Sequence, residues 1–343
     1  MSIKISIVVP IYNEIRIINN FIHKLLNTFN NLQVKYIFVD DGSNDGSQKW
    51  LEDNIPIIFK EKNHKLILLK KNKGKGFAVR QGIKEIEGLY TIFIDSDLEY
   101  DPNDALALFH IAKENVNIKA LFGSRYIGGK LQLRRHFLND IAVRINTWIF
   151  NILFNQSITD LHSGTKLIEN NLLKKVNLSL NGFGHEIDIS SQIAMNNMNI
   201  YETGISYIER TFDEGKKITV IDGLLSYIFL FRARFLQNDR YTTIAMTYSF
   251  LMMTFIGSFF GMGLGKILIT IVFSFVGLLN AIHRKIFSLS FIFFSVFIGS
   301  LFSKGNGKIF PILLFYFISL WITKSFIKRN NNSTKKSFLN YFI

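Results

Sequence analysis

The 343-residue chain has no cysteine, so no disulfide holds it together, although that absence alone does not fix its compartment. A second scarcity is local. From Tyr241 to Ile343 there is no Asp or Glu, while ten Lys or Arg remain. Those ten carry most of the formal net charge of +14 and leave only +4 on residues 1–240. The basic balance therefore comes from loop and tail flanks rather than a patch on a folded domain, which argues against nucleic acid as a partner. No GxxxxGK[ST] sequence occurs, which argues against an ordinary P-loop ATPase. His162 and His185 stand without cysteines or a His-x-x-x-His spacing, which argues against a zinc site. No signal-peptide pattern opens the chain, because Lys4 precedes an apolar run of strand length only.

What the first 215 residues do contain is a regular alternation. Lys4-Ile5-Ser6-Ile7-Val8-Val9-Pro10 is short, β-branched and closed by proline, and predicts a buried parallel strand. Residues 14–29 then place Ile15, Ile18, Phe21, Ile22, Leu25 and Leu26 at helical spacing. Further strands are expected at 36–39, 67–69 and 90–94. Strands alternating with helices give an α/β fold with a mostly parallel sheet, whose ligands bind beyond the carboxyl ends of the strands. Three acidic clusters fall at those ends: Glu14 after the first strand, Asp40-Asp41 after the second and Asp95-Ser96-Asp97 after the fourth.

The paired carboxylates of Asp95 and Asp97, at the exit of a buried strand, suit a hard divalent cation such as Mg2+ or Mn2+, which takes oxygen ligands and binds diphosphates. Asp41 suits ribose hydroxyls or a base N–H. The segment Asn72-Lys73-Gly74-Lys75-Gly76 opens a helix with amides and cations, so that Lys75 or Arg80 would favour a phosphate.

The C-terminal third reads as a membrane anchor. Apolar runs cover 243–260, 267–282, 286–302 and 309–323. A span takes about 20 residues, and the two shorter runs reach that length if flanking lysines extend to the interface. Four spans put the cationic loop at Arg284-Lys285 and the tail with Lys328, Arg329, Lys335 and Lys336 on the side of the N-terminal domain. The positive-inside rule then makes that side cytoplasmic, in a multi-pass integral membrane protein. The expected organisation is a catalytic domain at 1–215, a juxtamembrane interface helix at 216–240, a transmembrane domain at 241–325 and a basic tail at 326–343.

Taken together, VVPIYNE, VDDGSNDGS, NKGKGFAVRQGI, FIDSDLEYDP, FGSRY and DLHSGTKL resemble the family-2 inverting glycosyltransferases of GT-A fold. Among these the chain is similar to the polyprenyl-phosphate (dolichyl- or undecaprenyl-phosphate) glucose and mannose synthases, over residues 5–235. The resemblance implies a nucleotide-sugar donor and a polyprenyl-phosphate acceptor. It implies that Pro10, Tyr12 and Glu14 line the nucleotide pocket, that Asp41 holds base or ribose, and that Glu99 joins Asp95 and Asp97 at the metal. It further implies that Arg125 meets the lipid phosphate, followed by the pair Arg134-Arg135. Here the chain departs from its relatives, which carry a serine soon after the arginine pair where this chain has His136-Phe137-Leu138-Asn139. Ser163 and Glu186 correspond to the acceptor side, and Arg210 with Lys216 to a flap over the donor diphosphate. UDP-glucose is favoured as donor because NKGKGFAVRQG resembles the glucosyl-type relatives more than the mannosyl-type ones, with GDP-mannose next and UDP-linked amino sugars also open. The absence of a Gln-x-x-Arg-Trp motif argues against a processive polysaccharide synthase. The intact acidic and arginine motifs argue against a non-catalytic carrier of lipid-linked sugars. A homo-oligomer is compatible with this reading.

Overall fold

In a computed structural model of the chain, the described residues are 5–182, 184–211, 213, 226–230 and 232–236. The chain divides into two units, 1–234 and 235–343. The four apolar runs, the basic tail and Lys216 lie outside the described residues. Among the described residues, no helix is long and apolar enough to cross a membrane.

The first unit alternates as its sequence pattern requires. β1 (Ile5–Ile11), β2 (Val34–Asp40) and β3 (Asn63–Leu68) are joined by α1 (Ile18–Thr28) and α2 (Ser47–Ile58). α3 (Lys75–Ile83) leads to β4 (Tyr90–Phe93), and α4 (Pro102–Glu114) to β5 (Ala120–Ser124). Then come β6 (Gln132–Leu133), the long α5 (Phe137–Phe154), β7 (Lys166–Glu169), α6 (Asn170–Leu173), α7 (His185–Met195), β8 (Tyr201–Gly204) and β9 (Tyr207–Ile208). The helix expected from residue 14 starts only at Ile18. Asn13 adopts a left-handed φ of 53°, and the Glu14 carbonyl accepts from the Ile17 and Ile18 amides to form a turn. α4 begins where its sequence signals it: the Asp101 side chain caps the Asn103 amide and Pro102 fills the first turn.

Seven strands form one sheet in the order β3-β2-β1-β4-β7-β5-β8. All neighbours are parallel except β7, which runs antiparallel to both β4 and β5. Every residue of β1 and β2 is buried, so alternate side chains feed two cores. Ile5, Ile7, Val9 and Ile11 pack toward α1, α2 and α4, whereas Val8, Ile37 and Val39 face α3 and α7. β1 is flanked by β2 on one side and β4 on the other, so the order of strands reverses between β1 and β4. A doubly wound sheet opens a crevice at such a point.

Candidate active site

A cavity of about 350 Å³ lies at that crevice. Its walls come from the β1, β2 and β4 exits, the 72–75 loop, the α5 N-terminal turns, the 160–164 loop, the start of α7 and the β9 exit.

The Asp41 carboxylate organises one wall of the cavity. Its oxygens accept from the backbone amides of Lys73 (2.9 Å) and Gly74 (2.8 Å), which fixes the loop that begins α3. Gly42 makes this possible: at φ +70° its α-carbon lies so close to Lys71 that a Cβ would come within 2.4 Å of backbone. Burial raises the Asp41 pKa against the pull of those two amides. Lys75, delivered by the same loop, sits 2.8 Å from Asp95 and 3.2 Å from Glu186. Burial works against its charge, but the two carboxylates outweigh it and hold the Lys75 pKa above the ordinary range. Arg80 turns away, donating to the Leu180 carbonyl and to Asn181, so Lys75 is the cation of this segment that lines the cavity.

The opposite wall carries Arg210. Its guanidinium grips Glu14 at 2.9 and 3.3 Å and lies 3.6 Å from Asp97 and 3.9 Å from Glu99. Asp97 lies in a group of acids. Burial, then repulsion from Glu99 and Asp95, raises its pKa to about 7, with Arg210 opposing the rise. Leu98 follows at a left-handed φ of 59°, a strained conformation for a branched side chain, while the Glu99 amide donates to Asp97 (3.1 Å). Glu99 is directed elsewhere: its carboxylate accepts from the Tyr207 hydroxyl and the Arg210 amide, each at 2.9 Å. Among the described residues no three acid or histidine side chains converge as a ready cage for an ion.

A further wall of the cavity is built around a buried ion pair. Arg125 Nε and Nη2 donate to Asp160 at 2.7 and 2.8 Å, and the Arg125 amide donates to the same carboxylate. The arginine pair separates. Arg134 lines the cavity, stacks 4.5 Å over the Tyr126 ring and donates to the Arg125 carbonyl. Arg135 leaves the cavity and binds Glu209 through its own amide and Nε. Asp140 of α5 accepts from the Tyr126 hydroxyl (2.9 Å) and pairs with Arg134 (3.5 Å) and Arg144 (2.9 Å). Ser163 also turns from the cavity, bonding Thr165 within its own loop. The next residue, Gly164, lies against the acidic motif: a Cβ there would stand 2.0 Å from Asp95 Oδ2.

The cavity thus collects Pro10, Tyr12, Glu14, Asp41, Lys75, Asp95, Asp97, Glu99, Arg125, Arg134, Glu186 and Arg210, and leaves out Arg135 and Ser163. Sequence reasoning attached no role to His162. Its Nδ1 lies 3.5 Å from Glu186, its Nε2 is buried with no hydrogen-bond partner among the described residues, and its side chain lines the cavity. His185 places its Nδ1 3.1 Å from the Gly182 carbonyl, and burial lowers its pKa to about 4. Tyr100, Tyr126 and Tyr207, also unassigned from sequence, complete the wall. The site concentrates carboxylates around two internal cations, next to a second, arginine-rich wall. It presents positive charge to an anionic ligand from Lys75 and Arg210 on one side and from Arg125 and Arg134 on the other.

Residues 6–176 match the family described as Glycosyl transferase family 2. An undecaprenyl-phosphate 4-deoxy-4-formamido-L-arabinose transferase of Proteus mirabilis is 33% identical over 118 residues, 34% of this chain and 35% of that protein. The chain therefore spans only about a third of the Proteus relative. A dolichyl-phosphate beta-glucosyltransferase of Dictyostelium discoideum is 28% identical over 61% of this chain and 67% of its own length. An uncharacterized protein of Methanocaldococcus jannaschii is 30% identical over 58% of this chain and 86% of its own length. Glucosyl-3-phosphoglycerate synthase of Mycobacterium tuberculosis, crystallised with Mn2+, UDP and glucosyl-3-phosphoglycerate, shares the fold at TM-score 0.51. That structure is 18% identical and covers 67% of this chain and 80% of its own. The α/β sheet, its acidic rim and these matches together make the chain a member of glycosyl transferase family 2, and a glycosyltransferase.

Proposed function

We propose that the protein transfers a hexose from a nucleotide-sugar to a polyprenyl phosphate at a membrane, with UDP-glucose the favoured donor and GDP-mannose next. The observation that carries the reading is the division of one cavity into a carboxylate-and-cation wall and an arginine-and-tyrosine wall. The relatives from Proteus and Dictyostelium, named for undecaprenyl- and dolichyl-phosphate, support the acceptor class, and the Dictyostelium enzyme supports glucose. The apolar runs after residue 240 support a membrane location, with the catalytic unit on the cytoplasmic side.

A divalent cation, Mg2+ or Mn2+, fits the donor wall by charge. Five carboxylates (Glu14, Asp95, Asp97, Glu99, Glu186) surround two cations (Lys75, Arg210), and burial, with repulsion from Glu99 and Asp95 added to it, raises the Asp97 pKa. Asp95 and Asp97 would hold the ion, while Glu99 remains bonded to Tyr207 and the Arg210 amide. Bound there, the ion would neutralise charge on the departing nucleotide diphosphate.

Asp41 keeps the 72–75 loop in place beside the nucleotide, and Lys75 and Arg210 contribute positive charge to the diphosphate. On the acceptor wall Arg125, oriented by Asp160, and Arg134, stacked on Tyr126, align the lipid phosphate. A phosphomonoester's second pKa is about 6, so its attacking oxygen is largely ionised near neutral pH and needs no strong base. That oxygen forms its bond to the anomeric carbon as the bond to the nucleotide diphosphate breaks. In-line displacement then converts an α-linked donor into a β-linked lipid product.

Sugar transfer by the full chain in detergent to a short polyprenyl phosphate tests this reading, with UDP-glucose, GDP-mannose and a UDP-linked amino sugar offered separately, each with Mg2+, Mn2+ or chelator. Chelator-sensitive transfer from UDP-glucose is expected. Binding of no nucleotide would overturn the reading, and transfer from another donor would replace the sugar.

A further inference from the structure

Lys75 stands where a cation held by Asp95 would stand. Its Nζ lies 2.8 Å from Asp95 Oδ1 and 2.9 Å from Oδ2, so one ammonium straddles both oxygens of that carboxylate. A third contact, at 3.2 Å, ties the same ammonium to Glu186. Asp95 is hemmed in by backbone too, since a Cβ on Gly164 would come within 2.0 Å of Oδ2. Asp97 is engaged less tightly. The Arg210 guanidinium passes 3.6 Å from it, longer than a hydrogen bond, and is committed to Glu14 by two bonds. One of the two carboxylates suited to a divalent ion is therefore already paired, by a group of the chain itself.

An ammonium and a metal ion do not share that position. Mg2+ sits about 2.1 Å from a carboxylate oxygen, inside the shell that Nζ fills, and two bare positive charges at such range repel strongly. What can move is the lysine side chain rather than the loop beneath it. Asp41 holds the amides of Lys73 and Gly74. Gly74, at φ +95°, and Gly76 press on the Asn181 and Leu180 carbonyls so closely that a Cβ would stand 2.5 and 2.3 Å from them. Between these two pinned glycines, the freedom of Lys75 lies in a four-carbon stem that ends in a compact charge with three rotatable donors. That side chain is 20% exposed and lines the cavity beside Asn72 and Gly74.

We propose that Lys75 is an exchangeable counter-ion: it holds Asp95 and Glu186 before the donor binds, then swings to the diphosphate of the incoming nucleotide-sugar and frees Asp95 for the divalent ion. The inference rests on the donor reading above and adds an order to it. Without nucleotide the lysine competes with the ion for Asp95. With nucleotide the lysine has a polyanionic partner, and the competition ends. Donor and ion then raise each other's affinity by more than their direct contact supplies. A lysine suits this exchange better than an arginine, whose planar fork fixes a carboxylate in one geometry, as Arg125 fixes Asp160.

Mn2+ binding to the full chain in detergent tests this without turnover, through loss of the free-ion electron paramagnetic resonance signal. Wild type is compared with Lys75→Met and Lys75→Gln, and with Lys73→Met, whose side chain lies over the Phe77 ring rather than on the acids. Each protein is titrated with Mn2+ alone and at saturating UDP or GDP, corrected for the ion bound by free nucleotide. Both Lys75 variants are expected to bind Mn2+ alone about tenfold tighter than wild type. The factor by which nucleotide tightens Mn2+ is expected to fall about fivefold in both, and to stay at the wild-type value in Lys73→Met. Unchanged affinity for Mn2+ alone would overturn the proposal. So would an equal gain with and without nucleotide, the mark of a fixed charge that repels the ion in both states. Binding of neither UDP nor GDP by wild type would instead remove the donor reading together with the release step, and the hold of Lys75 on Asp95 would be decided by the titration with Mn2+ alone.

Discussion

Gly164 is the residue at which the acidic motif meets the acceptor loop. A methyl group there would stand 2.0 Å from Asp95 Oδ2, so Gly164→Ala must move either the loop or the carboxylate. Misplacement of about 1 Å in an active site costs on the order of a hundredfold in rate, and transfer by the variant is expected to fall at least that far while its melting temperature changes little. Wild-type turnover would show that the loop can yield. His185 gives a prediction in pH. Burial lowers its folded pKa to about 4 from an ordinary 6.5, so the unfolded chain binds a proton that the folded chain refuses. Its contribution to stability is complete above pH 6.5 and is lost as the pH falls through 4. The fall in melting temperature between pH 7 and 4.5 is expected to be smaller in His185→Gln than in wild type, and equal falls would rule out the assignment. The acids of the rim were legible in sequence because each follows an apolar strand. The partners of those acids were not. Nothing in local spacing indicates that Lys75 reaches Glu186 across 111 positions, or that His162 rather than His185 faces that carboxylate.

At the scale of elements, the first four strands were readable as short β-branched runs, and their exits define the donor wall. β7 escapes such a reading: Lys166-Leu167-Ile168-Glu169 is four residues long, and its antiparallel direction follows from the loop before it rather than from its own sequence. The loop at 72–75 was read as a phosphate cradle, yet its geometry comes from a distant strand exit through Asp41. Asp41→Ala removes the acceptor of two backbone amides. Hydrogen exchange at Lys73 and Gly74 is expected to quicken, and nucleotide affinity to fall about tenfold, near 1.4 kcal/mol. Unchanged exchange with weakened affinity would instead limit Asp41 to direct contact with the nucleotide. α5 was missed because apolar residues fall on nearly all sides of the helix, so the pattern alone does not select its buried face.

For the whole molecule, every described residue of the cavity belongs to the first unit, whereas residues 241–343 carry ten bases and no acid. Truncation after Arg240 is therefore expected to leave nucleotide binding, followed by calorimetry, within about twofold of the full chain, a difference of under 0.5 kcal/mol. Transfer to a long polyprenyl phosphate in vesicles is expected to drop much further, and loss of nucleotide binding would show that the two units are not separable in function. The contact between Gly164 and Asp95 has one more consequence, in thermodynamics. The loop that borders the acceptor wall rests directly on a carboxylate of the donor wall, with no room for even a methyl group between them. A ligand that shifts Asp95 also shifts the loop, and by linkage the free energy passes equally in both directions. Donor and acceptor would thus strengthen or weaken each other's binding by the same factor, a reciprocity set by the absence of a single carbon atom.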